Sequence, residues 1–148
     1  MTELSDEASR ALRDALAAEH AAVWVYGLAS AFTTESRVRD ALQEALDAHE
    51  RQRAAATRLV RAAGQTPPAP RPAYDVGVRP TDQTTAIEAV LIAERDCQVG
   101  WRAVIERTED GELRRTGLDG LSTSAARATR WRLTIGQQPA AQAFPGQP

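Results

Sequence analysis

Gly64-Gln65-Thr66-Pro67-Pro68-Ala69-Pro70-Arg71-Pro72 divides the chain and decides how its two halves can meet. Proline lacks a backbone N–H and its ring collides with the preceding turn, so no helix crosses this stretch. Gly64 is a helix-stop residue in the usual C-terminal position. The stretch continues to Pro80 without a helical pattern. It reads either as a linker between two domains or as a strap within one. Neither half carries a large enough core of its own, so the strap is the preferred reading. Extended polyproline geometry rises about 3.1 Å per residue, so 64–81 can span roughly 50 Å. A helix of the length read here is about 40 Å long. The strap can therefore run the length of the molecule and bring the next helix in parallel to the last.

Working outward, each side of the strap holds two helical segments. The first, about 5–32, has Ser5 as a possible cap and Asp6 and Glu7 in its first turn, where the helix dipole favours them. Leu12, Leu16, Val23 and Tyr26 make its apolar stripe. After Thr33-Thr34-Glu35-Ser36, where Thr34 or Ser36 could cap, the second runs over about 36–63 through Val38, Leu42, Leu46, Ala56 and Val60. The third, about 82–108, starts near Thr81 or Asp82 and carries Ile87, Val90, Leu91, Trp101, Val104 and Ile105. The fourth, about 112–135, passes through Leu118, Leu121, Ala125, Ala128 and Trp131, with Gly117 and Gly120 weakening its first third. A tail, 136–148, reads as irregular. Helix, short turn, helix, long crossover, helix, short turn, helix is the arrangement of a ferritin-like four-helix bundle, all-α and a single domain over 1–148.

Composition sets limits. The chain has 148 residues, 43% of them hydrophobic and 26% charged, with a formal net charge of -2. That gives no electrostatic case for nucleic acid or an anionic membrane surface. The lone Cys97 permits no internal disulfide and no thiolate cluster. The acidic start, from Met1 to Glu7, does not read as a signal peptide, and no apolar run reaches membrane-spanning length. The expected compartment is cytoplasmic.

The chemistry sits on the inner stripes. Leu16-Ala17-Ala18-Glu19-His20 is echoed by Leu91-Ile92-Ala93-Glu94-Arg95, and each puts one carboxylate on the face turned inward. Glu19 lies fifteen residues before Thr34 and His49 fifteen after it, so the two should be level across the first hairpin. Glu94 lies sixteen residues before Asp110 and Arg127 seventeen after it, so these should be level across the second. A di-iron carboxylate bundle uses one Glu on each of two helices and Glu-x-x-His on each of the other two. Glu19, Glu94 and His49 fit three of those places. Leu46 stands where the second helix needs Glu, and Ser124-Ala125-Ala126-Arg127 stands where the fourth needs Glu-x-x-His. A guanidinium cannot be deprotonated and repels a metal. The expectation is a metal-free polar cluster of Glu19, His49, Glu94 and Arg127, with His20 and Arg53 as possible additions and no cofactor. The plainer account is that these groups satisfy one another and fix register. The competing one is a single iron or zinc ion on Glu19, His49 and Glu94. A Glu–His pair could also serve as an acid–base couple, but no nucleophile stands beside it, and no catalytic residue is assigned. An anionic small molecule on Arg127 and His49 is a further option. Trp24, Trp101 and Trp131 read as core or interface, and Cys97 as a small core residue.

Ala18-Glu19-His20-Ala21-Ala22-Val23-Trp24-Val25-Tyr26-Gly27 resembles the opening motif of an alanine-rich, ferritin-like family of actinobacterial proteins of unknown function. Asp47-Ala48-His49-Glu50-Arg51, Pro67 to Pro70 leading to Ala73-Tyr74, Arg130-Trp131-Arg132 and Ala143-Phe144-Pro145-Gly146 resemble it too. The resemblance implies a ferritin-like bundle, pairing into homodimers, and a tail that packs. It implies no established activity. The functional expectation is association with proteins or binding of a small ligand, the alternative a metal-dependent oxidoreductase or metal-binding protein.

Overall fold

The computed structural model describes residues 3–148. Among them are four α-helices and no strand: α1 (Asp6–Ser30), α2 (Ser36–Ala62), α3 (Gln83–Arg107) and α4 (Gly111–Thr134). None is long and apolar enough to cross a membrane.

The helix starts follow local chemistry. The Ser5 hydroxyl accepts from Ala8 N at 3.1 Å and caps α1. Asp82 opens α3 with a capping box, its carboxylate accepting from Thr85 N while Thr85 Oγ1 accepts from Asp82 N. Asp110 caps α4 through Leu113 N at 2.9 Å. The start of α2 differs from expectation: Glu35 is its cap residue and makes no side-chain cap bond. Neither Thr34 nor Ser36 does the work. Gln83 does it from across the bundle, its Oε1 accepting from Thr34 N at 3.1 Å and Glu35 N at 3.2 Å.

That contact also sets direction. It places the start of α3 beside the start of α2, so these two run parallel and α1 runs against both. Between α2 and α3, residues 63–82 contain no helix. Pro68 O accepts from His20 Nε2 at 3.0 Å, and Tyr74 packs tilted against Trp24 with ring centroids 6.2 Å apart. With Gln83 at Thr34, the segment tracks along α1 from its middle to its C-terminal end.

In cross-section α1 packs on α2 and α3, and α3 on α4, while α2 and α4 barely touch. Leu12, Leu16, Leu42, Val60, Ile87, Val90 and Leu113 fill the core. Burial of each such side chain contributes about 1.5–3 kcal/mol. The inner face of α4 is not the expected leucine stripe. Leu118 is 55% exposed, whereas Gly117 and Gly120 are buried. A Cβ on Gly120 would lie 2.7 Å from Trp101 Cδ1, and one on Gly117 3.0 Å from Ile105 Cγ1. The two glycines let α4 close over the α3 indole, which is why a residue pair unfavourable for helix persists inside one.

The tail, 136–148, is non-helical but packed. Arg132 Nη1 donates to Ala140 O at 3.1 Å, and Arg102 Nη1 to Pro145 O at 3.4 Å. Gly146, at φ 82°, sits so close to α3 that a Cβ would be 2.6 Å from Gln98 O.

Candidate functional site

At the middle of the bundle α2 delivers His49 between two carboxylates. Its Nδ1 donates to Glu19 Oε2 at 2.6 Å and its Nε2 to Glu94 Oε1 at 2.9 Å. All three residues are buried. With both ring nitrogens aimed at carboxylates, the imidazole is held as imidazolium. Burial alone would lower its pKa; the Glu94 charge, the two hydrogen bonds and the Glu19 charge outweigh that and push it up to about 9.

Glu94 is the hub. Its Oε1 also accepts from Tyr26 OH at 2.5 Å and Arg127 Nε at 2.9 Å, and Ser124 Oγ donates to its Oε2. Burial would raise its pKa, but the His49 and Arg127 charges and these donors bring it down to about 2. Arg127 Nη2 lies 3.5 Å from His49 Nε2. Both carry protons, so this is a cation–cation contact, tolerated because Glu94 Oε1 lies against both. Glu19 completes its set with Trp101 Nε1, which donates to its Oε1 at 2.7 Å. Trp131 Nε1 donates to Tyr26 OH at 2.8 Å and orients that hydroxyl towards Glu94. Two carboxylates thus face an imidazolium and a guanidinium, and the formal charges cancel.

Residues 11–148 match the family model of a domain of unknown function, DUF4439. The chain belongs to the DUF4439 family. The crystal structure of a conserved hypothetical protein, rv2844, from Mycobacterium tuberculosis is similar to this DUF4439 chain. It is 32% identical with a TM-score of 0.84, and the match covers 94% of this chain and 97% of that one. No curated protein matches the chain.

The DUF4439 cluster does not fit a di-iron centre. Such a centre needs Glu-x-x-His on two helices. At that level α2 offers Leu46 and His49, and α4 offers Ser124 and Arg127. The Glu19 and Glu94 carboxylate oxygens already accept hydrogen bonds from His49, Tyr26, Trp101, Ser124 and Arg127. One smaller grouping survives: ligand atoms of Glu19, His49 and Cys97 lie within 4.8 Å of one another. Sequence pattern marks Cys97 only as core. Burial, then the Glu19 and Glu94 charges, push its thiol up, which keeps it protonated.

Two expected additions lie elsewhere. His20 turns its ring to the strap, donating to Pro68 O, and its Nδ1 is buried without a partner. Burial lowers its pKa and keeps it neutral. Arg53 is half-buried and, among the described residues, gives no hydrogen bond or ion pair to the cluster; its positive charge is felt at His20 instead. Conversely, Tyr26, Trp101, Trp131 and Ser124 stand out in the sequence for apolar bulk or as missing ligands, yet each donates a proton into the cluster or to its hydroxyl. One sequence signal points to two of them. An amphipathic aromatic follows each glutamate by seven residues, two helical turns on: Tyr26 after Glu19 and Trp101 after Glu94.

Proposed function

We propose that this protein is a ferritin-like bundle that has exchanged redox chemistry for binding. In this reading residues 64–81 are its long crossover, the core cluster is a metal-free electrostatic lock, and the chain works by association or small-ligand capture. The observation that carries it is His49 doubly bonded between Glu19 and Glu94, with Arg127 on the same Glu94 oxygen. Every site that would bind a cation already faces a proton or a guanidinium. Removing one such partner from a buried pair costs about 3–5 kcal/mol, so the set is not casually rearranged to admit a metal. The reading also takes the chain as a cytoplasmic homodimer, which light scattering after gel filtration tests.

The alternative, a metal-binding protein or metal-dependent oxidoreductase, draws on the proximity of Glu19, His49 and Cys97. Metal analysis of protein purified without chelator, followed by iron(II) and zinc titration, separates the two. The lock predicts no stoichiometric uptake. Stoichiometric uptake overturns it, and loss of that metal in Glu19→Ala and in Cys97→Ala would place the ion on the alternative's own ligands.

A further inference from the structure

The light contact between α2 and α4 leaves a groove on the bundle surface of about 270 Å³. Its floor is apolar: Val38, Ala41, Ala45, Ala48 and Trp131. Its charged lining is Arg37, Arg51, Arg127 and Arg130 against the single acid Glu44. This stands out in a chain whose net charge is -2. Arg127 joins the groove to the core. Its side chain is 11% exposed and gives Nε to Glu94, while its Nη1 has no protein acceptor among the described residues.

We propose that this groove binds a small organic anion with an apolar body, its carboxylate meeting the Arg127 guanidinium and its tail lying on Ala45, Ala48 and Trp131. Charge decides against a second copy of the chain seated groove to groove, because four arginines would then face four. The volume, about 270 Å³, falls just below the usual span of drug-sized ligand sites, about 300–1,000 Å³, which suits a small anion. An apolar floor with a few convergent polar groups is how such sites fix orientation.

The inference rests on reading Arg127 as a member of a metal-free cluster, so the test keeps the two apart. Decanoate is titrated into the full chain and followed by calorimetry and by backbone amide shifts. Saturable binding on the order of 0.1 mM is expected, with shifts concentrated at Ala45, Ala48 and Trp131. The exposed double variant Arg51→Glu with Arg130→Glu should weaken it at least tenfold, and Ala48→Trp should block it by filling the floor. Both leave the core donors in place, so loss of binding is not loss of fold; unchanged amide spectra away from α2 and α4 check this. Equal binding of decyltrimethylammonium, shifts centred on residues 137–148, or adsorption to phosphatidylglycerol vesicles without binding of free decanoate would each overturn the proposal. Iron(II) and zinc are titrated into the same samples. No decanoate binding and no metal uptake removes the groove and leaves the lock; stoichiometric metal uptake removes the lock.

Discussion

Trp101 on α3 donates its indole N–H to Glu19 on α1 at 2.7 Å. Tyr26 on α1 returns the bond, donating to Glu94 on α3. The two antiparallel helices therefore clasp each other reciprocally, each supplying a carboxylate and the donor for its neighbour's carboxylate. Trp101→Phe keeps the ring and deletes the N–H. It should destabilise the fold by about 1.5–3 kcal/mol, the range for a hydrogen bond to a charged group. Trp24→Phe, on the half-buried outer face against Tyr74, should cost less than about 1 kcal/mol. Urea denaturation of both variants checks the contrast.

Arg127→Met should lower stability by about 3–5 kcal/mol, because Glu94 stays buried with one counter-charge fewer. Arg127→Lys should recover part of that, restoring the charge without the planar fork. Equal losses for Met and Lys would assign the effect to shape rather than charge.

Acid and base should destabilise the fold from opposite sides of the same cluster. His49 is raised from 6.5 to about 9, so its contribution is complete below pH 6.5 and is lost as pH climbs through about 9. Glu94 is lowered from 4.5 to about 2, so its contribution is complete above pH 4.5 and is lost as pH falls through about 2. The cluster should thus contribute most between pH 4.5 and 6.5. Each flank should fall by a few kcal/mol, and the shared His49–Glu94 pair means the two are not summed. Thermal melts across roughly pH 3–10 test the plateau. In Glu94→Gln the alkaline flank should move to lower pH, read directly from the His49 ring signals.

Two glycines in helix interiors should respond with opposite sign. At Gly27 a methyl group would meet nothing within 4 Å, so Gly27→Ala should stabilise by about 0.5–1 kcal/mol. Gly120→Ala would set a methyl 2.6 Å from Gln52 Nε2 and 2.8 Å from Trp101 Nε1, and should cost about 1–3 kcal/mol. Calorimetric melting of the pair checks it.

Counting from two short turns brings four charged residues to one level, because a hairpin's register follows from its loop when both helices are unbroken. The Ser5 cap is legible for a local reason, a short oxygen-bearing side chain ahead of a helical pattern, whereas for α3 the pattern marks only a start near Thr81 or Asp82 and the structure picks Asp82. What periodicity misses is also physical. It weighs Tyr26, Trp101 and Trp131 as apolar bulk and is blind to the one polar atom each carries. It favours Leu118 over Gly117 and Gly120 as the inner face of α4, because close approach of backbones leaves no hydrophobic mark. The Gln83 cap on α2 and the His20 bond to Pro68 join residues 48 apart or more, beyond any local pattern.

Glu94 on α3 receives protons from Tyr26 on α1, His49 on α2, and Ser124 and Arg127 on α4. One side chain of α3 is therefore bonded to each of the other three helices. No helix can peel away at its centre without stripping a donor from the same oxygen pair. The central amides of all four helices should then exchange with solvent through one shared opening event, a single cooperative unit, while the helix ends and residues 136–148 exchange faster on their own.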